Sequence, residues 1–394
     1  MNENWNVKKF LLRSLSYVLV AMVAAVAALT LWGGETTKLT ELEEMVNRYF
    51  IGDADMEAAR DAAANAFIDA LGDRWSYYVP ADEMLSYDES KNNAYVGVGI
   101  TIAQREDGSG FDIREVAPGG SAKEEGIQPG DVLVAVEGQS VTGLSNAEVK
   151  QRIQGDEGTQ VKISVSRNGQ TLDFTLTRKT ILVDVASGQM LPGNIGLIRI
   201  NNFNANCAKE TIEEIDKLTE AGALALIFDV RNNPGGYVNE MVKVLDYLLP
   251  EDLVIFREEN FRGKTNTRYS DAHSVEVPIA VLVNGNSYSA AEFFAAALME
   301  HEKATVVGEK TVGKGYYQNT IPLSDGSALN LSTGKYYTPK GNNLSEIGGL
   351  TPDVPIAVTD EMAALIYAQL LPVEEDIQIQ AAIGVLQEKL QQNP

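Results

Sequence analysis

Hydrophobic and polar positions change their period several times along the chain, and those changes divide it. Over residues 10–32 the only charge is Arg13, and 18–31 is almost wholly apolar. About 20 apolar residues suffice to cross a bilayer. Lys8, Lys9 and Arg13 precede the run, whereas Glu35, Glu41, Glu43 and Glu44 follow it. The positive-inside rule then keeps the N-terminus cytoplasmic and places everything after about residue 34 outside. A cleaved signal peptide is the rival reading, since 24–28 offers small residues. The run is longer than an ordinary signal core and ends on bulky Leu31 and Trp32, which favours an uncleaved single-pass anchor in the cell membrane.

Beyond it the period becomes helical. Leu39, Leu42, Met45, Val46, Tyr49 and Phe50 recur at three- and four-residue spacing, as do Ala58, Ala62, Ala66 and Ala70. Residues 36–92 therefore predict acidic helices, broken at Gly52-Asp53 and Gly72-Asp73, that serve as a stalk or a dimerising arm. The aromatic cluster Arg74-Trp75-Ser76-Tyr77-Tyr78-Val79-Pro80 is too short to hold a cofactor. Over 94–180 short alternating runs separated by turn residues predict a small β-rich domain. A strand over 96–102 is interrupted by Gly97 and Gly99, Asp107-Gly108 marks a turn, Ser145-x-x-Glu148 is a capping box, and Asn168-Gly169 is a strong hairpin signal.

From Ile195 strands and helices alternate: strand 195–200, helix 207–221, strand 223–230, helix 237–249, strands 253–256 and 278–283 around a polar excursion, helix to about 300, strand 304–308. That order predicts a largely parallel sheet with helices on its faces, and such sheets gather their sites at the strands' carboxyl ends. Two turns follow strand ends there, Arg231-Asn232-Asn233-Pro234-Gly235-Gly236 and Ser287-Tyr288-Ser289, so they are expected to be neighbours. A hairpin over 318–332 follows, and 359–390 is helical with Pro372 between two helices. The expected architecture is multidomain α/β: tail and transmembrane anchor 1–34, helical region 35–93, β-rich domain 94–180, α/β core 181–358, and C-terminal helices 359–394. Amphipathic spacing at both ends, 36–72 and 359–390, points to a homodimer.

Composition changes this picture in few places. Fifty-five acidic against 32 basic residues give a net charge of −23, which argues against a nucleic-acid partner. A single cysteine, Cys207, rules out an internal disulfide framework, and two histidines, His273 and His301, make zinc chemistry a poor fit. No metal or cofactor is expected. Cys207 at a helix start reads as a small buried hydrophobe rather than a reactive thiol.

Candidate chemistry centres on Ser289, at the start of a helix after a buried strand. Ser289-x-x-Glu292 is also a capping-box pattern, so the residues alone leave open whether Ser289 is a nucleophile or a cap, and Ser287 offers a second cap. A serine nucleophile needs a base. His301 lies about 18 Å along the same helix, and nothing around His273 supports it. A lysine acting as base must be neutral, which takes a fall of about 3 pKa units from 10.4. Lys314, between Gly313 and Gly315, is the lysine most readily buried, with Lys303 and Lys310 in more polar settings.

Two resemblances sharpen this. Tyr95-Val96-Gly97-Val98-Gly99-Ile100, Ala117-Pro118-Gly119-Gly120-Ser121-Ala122 and Ile127-Gln128-Pro129-Gly130-Asp131 resemble a PDZ domain of bacterial proteases. Such a domain captures a peptide C-terminus on a strand edge, implying substrate contacts at Tyr95, Gly97, Val98, Gly99 and Ile100. Asp229-Val230-Arg231-Asn232-Asn233-Pro234-Gly235-Gly236, Ser287-Tyr288-Ser289-Ala290-Ala291-Glu292, Gly308-Glu309-Lys310-Thr311-Val312-Gly313-Lys314-Gly315 and Tyr336-Tyr337-Thr338-Pro339-Lys340-Gly341 resemble the core of the carboxyl-terminal processing proteases, serine peptidases with a Ser–Lys dyad. The resemblance puts the nucleophile on Ser289, 25 residues before the base Lys314. It puts the lysine-orienting glutamine on Gln318, and the oxyanion-hole N–H groups on Ala290 and Gly235 or Gly236. Tyr288, Ala291 and Val312 depart from the family pattern, and Tyr288 is expected to narrow the specificity pocket. The implied function is an extracytoplasmic endopeptidase acting on unfolded or C-terminally tagged proteins with free C-termini. The alternatives are an inactive PDZ scaffold and a Ser–His hydrolase using His273.

Overall fold

The computed structural model describes residues 37–271 and 273–392. The expected anchor, residues 10–32, lies outside the described residues, and among those described no helix is long and apolar enough to cross a membrane. The described residues divide into two compact units, with the boundary between Phe67 and Ile68. Helix Lys38–Tyr49 in the first, and helix Met56–Asp69, whose last two residues lie past the boundary, form where the spacing predicts them, with Thr37 capping the former through the Thr40 N–H at 3.3 Å. No residue of Lys38–Tyr49 is buried, and Leu39, Leu42, Tyr49 and Phe50 are exposed.

The second unit contains a small antiparallel domain in which strands Ile100–Gln104, Phe111–Val116, Val132–Val136, Gln160–Arg167 and Gln170–Thr177 lie in sequence order. Its separate core includes Phe111, Ile113, Leu133, Ile163 and Val165. The expected devices are present: the Ser145–Glu148 capping box opens helix Asn146–Ile153, and Asn168 and Gly169 both take positive φ in the hairpin turn. The interrupted strand over 96–102 becomes two strands in different sheets. Ala94–Gly97 pairs with Lys179–Leu182, whereas Ile100–Gln104 begins the domain's own sheet. The break falls at Gly99, φ +81°, where an added Cβ would stand 2.7 Å from the Gly120 Cα. The backbone–backbone approach to Gly120 therefore suffices to require glycine at 99, without a ligand.

The α/β core holds a six-stranded sheet in the order Ala186–Leu191, Ile195–Ile200, Ala225–Asp229, Ile279–Val283, Ala304–Gly308, Val354–Pro355, parallel except at its first strand. Both faces are covered, so its strands read as continuous apolar runs. Leu226, Phe228, Val281 and Val306 pack with helices Cys207–Glu220, Val238–Leu248 and Ala290–Glu300 on one face. Ile227, Ala280, Leu282 and Val307 pack with helix Ile377–Gln392 on the other.

Two features depart from the sequence reading. The polar excursion after residue 256 is a hairpin, Val254–Asn260 with Thr265–Tyr269, in a second, antiparallel sheet. The aromatic cluster supplies that sheet with strand Tyr77–Val79, paired to Ala328–Tyr337. Pairing across some 250 positions leaves no local periodicity to read, and three residues are too few to show alternation.

Candidate active site

The two polar turns meet as expected. Asn232 and Asn284 exchange hydrogen bonds at 2.9 Å, and the Ser287 hydroxyl donates to the Val230 carbonyl at 2.7 Å. Ser287 is thus a buried pin between the turns rather than a helix cap. Asn233, also buried, receives the Tyr288 N–H on its carbonyl at 3.1 Å and the Gly235 N–H on its side chain at 2.8 Å.

Ser289 sits where the Ile279–Val283 strand gives way to helix Ala290–Glu300, with φ +58° and ψ −125°. The ordinary caps of this chain, Ser145 and Thr359, have φ −76° and −74° with extended ψ. A serine cap gains nothing from left-handed backbone, which strains a non-glycine residue by about 1–3 kcal/mol. The elbow lifts the side chain off the scaffold, the arrangement found at serine nucleophiles on strand–turn–helix junctions. Gly235 makes it possible: a Cβ there would meet the Ser289 Cβ at 2.7 Å and the Ala290 nitrogen at 2.9 Å.

Glu292 holds the elbow. Its carboxylate, wholly buried, accepts the Ser289 N–H at 2.9 Å, as in a capping box, but also the Gly313 N–H at 2.7 Å, the Lys314 N–H at 2.8 Å and the Thr311 hydroxyl. One carboxylate therefore joins the serine's helix start to the lysine's loop. Burial raises its pKa and the four donors partly oppose that. The sequence pattern shows Glu292 only as a cap partner.

Ser289 and Lys314 line one cleft of about 740 Å³, together with Gly235, Gly236 and Gln318. Burial is the main cause that lowers the Lys314 pKa from 10.5 to about 8; Lys91 and Arg74 add repulsion, and Asp73 and Glu292 oppose it. Gln318 donates to the Ser332 hydroxyl at 3.0 Å and the Tyr316 carbonyl at 3.3 Å. Ala290 is the first helical residue, so its N–H has no intrahelical partner. The Gly235 N–H is occupied by Asn233, which leaves Gly236 as the better placed glycine donor.

The competing bases lie elsewhere. His273 stacks on Tyr247 at 4.0 Å and its Nδ1 lies 3.0 Å from the Tyr247 carbonyl; the His301 Nε2 lies 2.8 Å from the Val254 carbonyl. Neither histidine lines the cleft, nor do Lys303 and Lys310. Cys207 is buried, and burial pushes its thiol up to about 12, the opposite of a reactive thiolate.

The cleft also takes Arg74, Trp75 and Tyr77 from the aromatic cluster, and Tyr87 and Lys91 from helix Met84–Asn92. The reading that set this cluster aside missed it, because what brings it to the site is strand pairing with Ala328–Tyr337. Tyr95, Gly97, Val98, Gly99 and Ile100 line a separate groove of about 670 Å³ together with Lys150 and Ile153 of helix Asn146–Ile153. Tyr95 and Gly97 already pair with the 179–182 strand, so the free strand edge along the groove begins at Ile100, at the end of its sheet.

The fold and its helix-start serine, in a cleft beside a desolvated lysine, have the form of a serine-type peptidase carrying a PDZ domain. Residues 194–356 match the model of Peptidase family S41 and residues 90–166 that of the PDZ domain. The chain is 32% identical over 343 residues to carboxy-terminal processing protease CtpA of Bacillus subtilis, covering 86% of this chain and 71% of that protein. It is 32% identical over 296 residues to the carboxyl-terminal-processing protease of Synechocystis, covering 74% and 68%. Among solved structures, a photosystem II D1 C-terminal processing protease aligns with 26% identity and a TM-score of 0.46, over 81% of this chain and 87% of that one. The chain belongs to the carboxy-terminal processing protease family of serine peptidases.

Proposed function

We propose that this chain is an endopeptidase in which Ser289 is the nucleophile and Lys314 the general base, acting on unfolded proteins with free C-termini. The observation that carries this reading is the strained elbow at Ser289, opening on the cleft that holds the desolvated Lys314. Neutral Lys314 takes the proton from the Ser289 Oγ as that oxygen attacks the scissile carbonyl carbon. The N–H groups of Ala290 and Gly236 receive the oxyanion. The Lys314 ammonium then protonates the leaving amine. Water attacks the acyl-serine with Lys314 again as base, and Ser289 is regenerated. In this reading Gln318, four residues along from Lys314 and lining the same cleft, orients the lysine. Every step uses the chain's own side chains and backbone.

In the same reading, the groove between Ile100–Gln104 and Asn146–Ile153 takes the substrate's C-terminus as an added strand. The N-terminal apolar segment holds the enzyme on the outer face of the membrane. Fractionating cells that express the full chain, with an alkaline carbonate wash, tests the anchor; recovery in the soluble fraction would overturn it.

The deciding experiment compares Ser289→Ala, Lys314→Ala and His273→Ala on an unfolded protein with an apolar C-terminus. The first two are expected to lose at least about 1,000-fold in kcat and the third to match the parent. Full activity in Lys314→Ala would sink the dyad, and loss confined to His273→Ala would establish the Ser–His alternative. Inactivity of the parent towards such substrates would favour the PDZ scaffold.

A further inference from the structure

Lys314 does not point into an empty cleft. Its Nζ stands 4.7 Å from the centroid of the Trp75 ring and 5.7 Å from that of Tyr288, and the two rings are stacked on each other at 5.7 Å with an interplanar angle of 27°. A cation within about 6 Å of an aromatic face is attracted by the ring quadrupole, most strongly for Trp. We propose that Trp75 and Tyr288 form an aromatic seat that positions the Lys314 amine and shields it from water, making both rings positioning residues for the base. This rests on the Ser289–Lys314 reading and extends it to residues outside the dyad.

The seat is built rigidly. The Trp75 backbone N–H donates to the Asp73 carboxylate at 3.1 Å, the Ser76 hydroxyl donates to the same carboxylate at 2.6 Å, and the Ser332 backbone N–H donates to the Ser76 hydroxyl at 2.9 Å. Gln318 reaches the Ser332 hydroxyl, so the glutamine beside the base and the Trp75 turn share one anchor. Tyr288 is fixed from below by its N–H to Asn233 and sits directly before Ser289.

The two rings act on Lys314 in opposite directions. Their bulk excludes water, which disfavours the ammonium, and their π faces attract it, which favours it. Other groups facing the amine are Asp73 and Arg74 on the Trp75 turn, Asp88 and Lys91 on helix Met84–Asn92, and Glu292 beneath. Replacing Trp75 by leucine removes the π face and keeps the position apolar but smaller, so phenylalanine, nearly as small and still aromatic, is the control for lost size. Relative to phenylalanine, the leucine variant takes the attraction from the ammonium at similar bulk, and the base becomes neutral at lower pH.

The test is kcat/KM against pH on the full chain, with an unfolded reporter protein ending in apolar residues as substrate. In the parent the rise with pH reports the free-enzyme base. Trp75→Leu is expected to move that limb to lower pH by about one unit, while Trp75→Phe, which keeps a π face, stays close to the parent. An unmoved limb, or one moved upward, in Trp75→Leu would overturn the seat. Should circular dichroism show that variant unfolded, Tyr288→Leu is read for the same downward shift under the same criterion. Lys314→Ala runs alongside. Activity there sinks the dyad itself, whereas a dead Lys314→Ala with an unmoved Trp75→Leu limb sinks only the aromatic seat.

Discussion

Lys314 is a cation that the fold buries at a loss. Its pKa is lowered from 10.5 to about 8 by burial first, so the folded state binds its proton more weakly than the unfolded chain does. The destabilisation is present in full below about pH 8 and fades as pH rises towards 10.5, where the unfolded lysine also loses its proton. Lys314→Met is therefore expected to abolish cleavage yet raise stability at pH 7 by about 1–2 kcal/mol, part of the shift being screened by water in the cleft. The gain should shrink above pH 8. Urea unfolding at pH 7 and pH 9.5 reads both, and a destabilised variant would argue that Lys314 has a structural role. The residue scale was also where the sequence was most ambiguous. Ser289-x-x-Glu292 satisfies a capping pattern, and the structure does contain the Glu292 contact to the Ser289 N–H. The structure adds a backbone angle, φ +58° at Ser289, which supports the nucleophile reading and which no string of residue types reports.

At the scale of elements, two buried charge centres hold the site together. Glu292 takes four donors from a helix start and a loop. A carboxamide in its place would turn an NH₂ group towards N–H donors, and each donor left unpaired in the interior costs about 1–3 kcal/mol. Glu292→Gln is expected to lose about 2–3 kcal/mol of stability and at least about 100-fold in kcat, read by urea melts and steady-state kinetics. Activity equal to the parent would show that the loop needs no such tie. Arg231 is the second centre, binding Asp229 at 2.7 Å and Asp376 at 2.9 Å. Asp376 in turn receives the Gln378 and Ile379 N–H groups at the start of the C-terminal helix. Burial opposes the Arg231 charge, but the two carboxylates outweigh it and hold its pKa above the usual range. Arg231→Ala leaves two buried carboxylates without their cation, a loss of about 3–5 kcal/mol. Hydrogen exchange should show helix Ile377–Gln392 opening first. Asp376 lies 145 residues from Arg231, a partner that no local spacing reveals.

For the whole molecule, the predictions concern delivery and assembly. If the Ile100 edge receives a free C-terminus, amidating the substrate's terminal carboxyl should raise KM about tenfold and leave the cleavage of short peptides unchanged. Equal KM values for capped and free substrates would remove the PDZ groove from recognition. Apolar side chains remain uncovered in both units: Leu39, Leu42 and Tyr49 in the first, Leu365, Tyr367 and Leu370 in the second. A homodimer built on these segments is expected to sediment at twice the chain mass, and a monomer would dismiss it.

The sequence by itself determined the parallel sheet and the small β domain through local periodicity, and it put both polar turns at strand carboxyl ends; the pairing of Ser289 with Lys314, 25 residues on, came from the family resemblance. The tertiary structure decided the rest: the second sheet, the arrival of Trp75 and Tyr87 at the cleft, and the span of Glu292 between helix and loop. Those depend on pairing between strands far apart in the chain and on which donors a buried carboxylate finds. Only the folded chain sets such distances, and with them which groups share the cleft with Ser289.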